Sequence, residues 1–288
     1  ECPAISKSVR NATRRWYAKG SAVIVVIASG KGGTGKTTVA INLALSQQHA
    51  GPLLLDCDVE EPNAALFVQP EITASQRVGQ MIPQIDLERC TFCGRCAEVC
   101  QYNALAVVGE KVLVFPEMCH GCGSCTLNCP TEAIREVFHD MGSVERGRSG
   151  DLDFAQGTMN VGEAMAVPVI RHLKRWAIPS DHDARPIILD APPGTACPVV
   201  ETLRGADIAL MVTEPTPFGL HDLRLAVEVA RKELGLPVAV VINRDGIGDR
   251  GVEDYCAAEH IPILMRIPLE RAIAEAYSEG IPLIQIQP

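Results

Sequence analysis

The sequence predicts an α/β protein. Its main body reads as a mostly parallel, doubly wound sheet, interrupted by a small cysteine-rich α+β insert. Three observations predict this. First, the apolar runs "AVIVVIAS", "PLLLDCD", "RPIILDAPPG", "DIALMVTEP" and "LPVAVVINR" have strand length and are continuous rather than alternating. Helical segments such as "KTTVAINLALSQQH", "HDLRLAVEVARKEL" and "LERAIAEAYSEG" separate them. Continuous apolar strands alternating with helices indicate a parallel sheet covered on both faces. Second, a glycine-rich loop joins the first such strand to its helix. Third, this rhythm stops between Pro83 and about Asp140, where eight of the twelve cysteines fall between Cys90 and Cys129.

In chain order, residues 1–22 differ from the rest. They are basic and polar, with Lys7, Arg10, Arg14, Arg15 and Lys19. They lack the apolar stretch of a secretory signal, and leave open an organelle transit peptide or a poorly ordered extension. Residues 23–83 and 140–288 are expected to form the sheet body, with 84–139 inserted into it. Met141–Gly157, "MGSVERGRSGDLDFAQG", is expected to be a polar return linker, and "MNVGEAMAVPVIRHLKRW" resumes a helical pattern.

Composition narrows the function classes. The net charge of −9 lacks the basic face of a nucleic-acid binder, so no nucleic-acid partner is expected. No run reaches the ~18 apolar residues of a membrane span. Aromatic residues make up only 4%, so the core must be aliphatic. Twelve cysteines fit either a disulfide framework or metal ligation. Their clustering beside a phosphate loop favours metal ligation in a reducing, cytoplasmic compartment.

Gly30, Gly35, Lys36 and Thr37 fit G-x-x-x-x-G-K-[ST], between a strand and a helix as that motif requires. Backbone N–H groups of Gly30, Gly32, Gly33, Thr34, Gly35 and the helix start, through Thr38, can converge on phosphate oxygens. Lys36 would reach the outer phosphates and the Thr37 hydroxyl would hold Mg²⁺. The lysine directly after the first glycine, Lys31, is one more than the motif needs.

With Lys31, "GKGGTGKT" resembles the deviant Walker A loop of the MinD/Mrp/nitrogenase-iron-protein superfamily. The resemblance implies an ATP-hydrolysing, MinD-like P-loop fold. It also implies a homodimer, or a heterodimer with a paralogue, with nucleotide at the interface. Lys31 would reach the partner's phosphates and act in trans like an arginine finger. In "LLLDCDVEEPN", Asp56 would lie near Mg²⁺ and Asp58 would position or deprotonate the attacking water. In "IILDAPPG", Asp190 would lie near Mg²⁺ and Gly194 near the γ-phosphate. In "VVINR", Asn243 would contact adenine. Cys197, seven residues after Asp190, stands where the nitrogenase iron protein binds a shared cluster. No second such cysteine is evident, and core packing or a contact with the second switch is expected. Cys57 and Cys256 read as buried small side chains.

Cys90, Cys93, Cys96 and Cys100 form C-x2-C-x2-C-x3-C, and Cys119, Cys122, Cys125 and Cys129 repeat it, followed by Pro130. Zinc also takes four thiolates, though usually from two separated pairs. The double run resembles a bacterial two-cluster [4Fe–4S] ferredoxin. That resemblance implies one cluster on Cys90, Cys93, Cys96 and Cys129, and a second on Cys119, Cys122, Cys125 and Cys100. Gln101 stands where the first run would usually have proline.

The combination resembles MinD-superfamily ATPases that carry ferredoxin inserts. It implies ATP, Mg²⁺ and two [4Fe–4S] clusters, with nucleotide state coupled to electron transfer with a redox partner. The alternatives are an Fe–S or metallocofactor assembly carrier of the Mrp type and a MinD-like positioning ATPase. The segment "GIPLIQIQP" is not the basic amphipathic helix with which MinD proteins bind membranes, so membrane binding is not expected.

Overall fold

A computed structural model describes residues 23–179 and 185–286. The expected basic extension, residues 1–22, lies outside the described residues. The chain runs through β1 (Ile24–Ala28), α1 (Lys36–Ser46), β2 (Leu53–Asp56), α2 (Ala65–Val68) and β3 (Glu71–Ile85). The cysteine-rich segment contributes α3 (Arg95–Glu98), β4 (Leu105–Val107), β5 (Val112–Val114) and α4 (Ser124–Leu127). The chain returns through β6 (Ile134–Ser149), β7 (Leu152–Met159) and α5 (Val167–Ala177). It finishes with β8 (Ile187–Asp190), α6 (Cys197–Leu203), β9 (Ile208–Thr213), α7 (Pro217–Glu228), β10 (Val238–Asp245), α8 (Gly251–Ala258), β11 (Ile263–Pro268) and α9 (Arg271–Ser278).

One nine-stranded sheet has the order β11-β10-β9-β1-β8-β2-β7-β6-β3. From β11 to β7 every pairing is parallel, and β6 is antiparallel to both of its neighbours. Successive strand residues point to opposite faces, so each strand serves two cores. Val26 and Ala28 pack on the face that carries α5, α6, α7 and α8, through Val169, Leu173, Leu203, Leu223 and Val252. Val25 and Ile27 pack on the other face, under Val39, Ala40, Ile41 and Ala44 of α1. Both faces are covered with aliphatic side chains, as the continuous apolar strands require.

Local signals fix the helix ends. Pro217 opens α7, and the Thr216 hydroxyl accepts the Gly219 N–H at 3.0 Å as its N-cap. At the end of α6, the Lys174 ammonium donates to the carbonyls of Glu201, Thr202 and Arg204 at 2.7–2.8 Å. These carbonyls would otherwise lack partners.

The segment 141–157 corrects the expected linker: it forms β6 and β7. Its glycines, which suggested a loop, sit where backbones approach closely. A Cβ on Gly147 would lie 2.1 Å from the Glu71 carbonyl oxygen, and one on Gly142 2.2 Å from that of Thr158. Glycine inside a strand often marks such an approach. Strands β3 and β6 therefore form a long antiparallel ribbon, registered from Glu71 opposite Arg148 to Ile85 opposite Ile134. The cysteine-rich segment hangs from the far end, where the Asp86 N–H donates to the Ala133 carbonyl at 2.7 Å.

Candidate nucleotide site and cysteine cavities

The glycine loop leaves the carboxyl end of β1 and enters α1. Ligands of open α/β sheets bind outside the carboxyl ends of the strands. Gly33 and Gly35 have φ of 74° and 92°, a region that other residues enter only with strain. Gly30 is needed for space: a Cβ there would lie 2.2 Å from the Asp222 carbonyl oxygen. Helix α1 has no side-chain cap and no acidic residue in its first turn. Its first amides and positive dipole end are thus available to an anion.

Lys36 is buried. Burial lowers its pKa, opposed by the charges of Asp190 and Asp58. Asp56 and Asp190 end adjacent parallel strands in direct register, and both are buried. Asp56 is spoken for: Oδ1 accepts the Asp58 N–H at 3.1 Å, and Oδ2 accepts those of Asn63 and Ala64 at 2.9 Å each. It therefore shapes the loop that carries Asp58. Burial pushes its pKa up to about 6 against these hydrogen bonds. Neither Asp190 oxygen has a hydrogen-bond partner within ordinary geometry, although the nearby Thr37 hydroxyl and Lys36 ammonium favour its charged form. Burial, then the charge of Asp56, holds its carboxyl well above the usual range. A buried carboxylate this poorly hydrogen-bonded, beside a second one, is unfavourable with Lys36 as its one cationic neighbour, and a further cation would stabilise it. The donor set beside Thr37 fits a hard, oxygen-seeking ion such as Mg²⁺. Burial also raises Asp58 to about 6, with Lys36 opposing.

Two expected residues have partners within the chain. Lys31 Nζ donates to Glu214 Oε2 at 3.0 Å. Asn243 Nδ2 donates to the Thr34 carbonyl at 2.8 Å, and its Oδ1 accepts the Arg244 N–H at 2.9 Å. The Asn243 side chain thus braces the phosphate loop from β10. Gly194 donates its N–H to the Ser29 carbonyl at 3.0 Å, tying the loop after β8 to the glycine loop. Cys197 is exposed at the start of α6, so it is not a core residue, whereas Cys57 and Cys256 are buried. Glu214 and Arg244 were not singled out in the sequence. The available signal was a carboxylate directly after an apolar strand in "ALMVTEP", the same placement that drew attention to Asp190.

The eight clustered thiols line two separate cavities. Cys90, Cys93, Cys96 and Cys129 face one, and Cys100, Cys119, Cys122 and Cys125 face the other, both partly open to solvent. The sequence repeat is also a repeat of conformation. Phe92 and Gly121 have φ of 53° and 62°, and their N–H groups donate to Cys90 Sγ and Cys119 Sγ at 3.4 Å. Asn103 and Glu132 have φ of 54° and 51°; the following N–H groups, of Ala104 and Ala133, donate to Cys100 Sγ and Cys129 Sγ at 3.2 Å. Such donors favour the thiolate over the thiol. At Cys129 burial raises the pKa, but the amides of Ala133 and Thr131 outweigh it and the net shift is downward. Among the described residues, no three Cys, His, Asp or Glu side chains converge as ligands of a single metal ion. Four thiols around a cavity, rather than around a point, suit a guest of several atoms.

A model of the "CobQ/CobB/MinD/ParA nucleotide binding domain" matches residues 25–283. The protein MJ0579 of Methanocaldococcus jannaschii is 32% identical over 90% of this chain and 90% of its own length. A second protein of that organism, MJ0578, is 31% identical over 78% of this chain and 79% of its own. An iron-sulfur cluster carrier protein of Pyrococcus abyssi is 25% identical over 97% of this chain and 83% of its own. Among solved structures, the septum site-determining protein MinD of Pyrococcus horikoshii, complexed with Mg-ADP, has the same fold. Its TM-score is 0.53 at 20% identity, over 91% of this chain and 87% of that one. The glycine loop, the paired strand-end aspartates and the family match agree: the chain belongs to the CobQ/CobB/MinD/ParA nucleotide-binding family and is a P-loop ATPase of the MinD/ParA type.

Proposed function

We propose that this ATPase is a MgATP-driven dimer switch that holds two [4Fe–4S] clusters in its cysteine-rich insert and serves as an Fe–S or metallocofactor assembly carrier. One observation carries the reading. Eight cysteines surround two cavities on an ATPase body, and a relative aligned over 97% of the chain is named an iron-sulfur cluster carrier protein. In the proposed cycle, Lys36 and the first amides of α1 bind the phosphates of ATP. Thr37 and Asp190 would hold Mg²⁺, with Asp56 beside them keeping the Asp58 loop in place, and the ion would supply charge neutralisation on the phosphate oxygens. Asp58 orients the attacking water, and its pKa near 6 suits a group that shares a proton near neutral pH. Lys31 of each subunit serves the phosphates bound by its partner. The partner is a second copy or a paralogue; MJ0578 and MJ0579 are two such relatives within one organism.

A second reading is ATP-controlled electron transfer. It is favoured by the paired N–H donors on Cys90, Cys100, Cys119 and Cys129, which suit clusters that are retained and tuned. The test mixes cluster-loaded protein anaerobically with an apo-ferredoxin, with and without MgATP. Assembly predicts that MgATP speeds cluster arrival on the acceptor and that Lys36→Ala does not respond. Clusters that stay in place but shift their midpoint potential with nucleotide would replace assembly with electron transfer.

A further inference from the structure

We propose that Glu214 is a positioning residue for the ATPase reaction: it parks Lys31 within its own subunit, and Arg244 allows the lysine to leave. The proposal rests on the reading of Lys31 as a lysine that acts on phosphates. Glu214 follows β9, and its side chain is only 8% exposed. Its Oε2 accepts from Lys31 at 3.0 Å and its Oε1 accepts from Arg244 Nη1. Arg244, whose φ is 55°, also donates to the Gly33 carbonyl at 3.3 Å.

The two sides of the contact differ in freedom. The backbone around Glu214 is wedged: a Cβ on Gly219 would lie 2.2 Å from the Glu214 carbonyl oxygen, and one on Gly248 1.6 Å from that of Pro215. The Lys31 backbone is also held, by the close approach of Gly30 to Asp222 and by the Ser29 hydroxyl on its carbonyl, but its side chain is 32% exposed. The carboxylate is therefore the buried, fixed end of the pair, and the ammonium on its long, partly exposed side chain is the movable one. Removing one partner of a buried ion pair is costly when the other charge is left alone. Here it is not left alone, because Arg244 stays on the second oxygen. Phosphate oxygens and Glu214 thus compete for one ammonium, and the outcome sets how much ATP is needed to free it.

The test uses the full chain and measures the MgATP concentration for half-maximal dimerisation, by light scattering. In parallel, amine-reactive labelling of Lys31 is followed by mass spectrometry without nucleotide. Glu214→Gln should label Lys31 faster and lower the half-maximal MgATP by about fivefold. Arg244→Gln, which leaves Lys31 as the sole partner of Glu214, should do the opposite in both readouts. A purely structural role would shift both variants the same way, and that result overturns the proposal. So does an effect of Glu214→Gln that persists in a Lys31→Ala background. If Lys31→Ala alone dimerises and hydrolyses ATP like the wild type, the reading of Lys31 as a phosphate-acting residue fails. If labelling responds as predicted while the MgATP dependence does not move, that reading stands and the parking role is overturned.

Discussion

The sheet body and the cysteine-rich segment are held together by different physics. The body buries aliphatic side chains on both faces of its central parallel strands, with Ile27, Leu54, Leu55, Ile188 and Leu189 almost wholly inaccessible. The segment at the tip of the ribbon has a core of only Leu105, Cys125 and Ile134, with partly buried neighbours that include Cys96, Cys100 and Cys129. Burial at about 25 cal/mol per Å² can support the first region but not the second. Small domains of this kind rely on metal or disulfide staples, and the cysteines here are free. The comparison teaches that the thiols are both the candidate binding site and much of the missing core.

The largest expected effect breaks the two regions apart. Iron chelation, or Cys125→Ser, should unfold the tip while the sheet body stays folded, because metal binding is coupled to folding in such modules. Limited proteolysis should then cut between residues 86 and 133 and spare the rest; loss of the whole chain would contradict the division. The converse variant, Lys36→Ala, should lower ATP turnover by on the order of 100-fold or more and leave iron content unchanged. Steady-state phosphate release with parallel iron analysis checks this.

Within the body, Leu173→Ala removes a fully buried side chain from α5. It should cost about 2–5 kcal/mol in denaturant unfolding and leave the absorption of the cysteine cavities unaltered. The smallest effect concerns the strand-end aspartates. Burial raises Asp56 from 3.8 to about 6, so the folded chain keeps a proton that the unfolded chain releases in that window. Stability without metal therefore falls as pH rises from 3.8 to about 6. Mg²⁺ should offset this loss, raising Tm by a few degrees at about pH 7.5 and hardly at all at about pH 5.

Much of this was legible in the sequence, for identifiable reasons. The strands carrying Asp56 and Asp190 are buried on both faces and so read as uninterrupted apolar runs, and the glycine loop has fixed spacing. The ribbon was not legible. Strands β3 and β6 are largely exposed, so they lack an apolar signature, and Gly142 and Gly147 imitate a linker. The partition of the thiols between two cavities, with Cys100 and Cys129 exchanged between the runs, does not follow from spacing; it rested on a resemblance. Glu214 was missed because one carboxylate at a strand end reads as a helix cap until its two cationic partners are seen in space.

The central claim is that the cysteine cavities hold iron–sulfur clusters governed by the nucleotide site. The most direct measurement is iron and sulfide content of anaerobically prepared protein before and after incubation with an apo-ferredoxin, with no nucleotide, MgADP and MgATP, for wild type and Lys36→Ala. The account predicts about eight iron and eight sulfide per chain, and MgATP-accelerated loss of iron to the acceptor in the wild type alone. Zinc in place of iron, or transfer indifferent to nucleotide in both proteins, would contradict it.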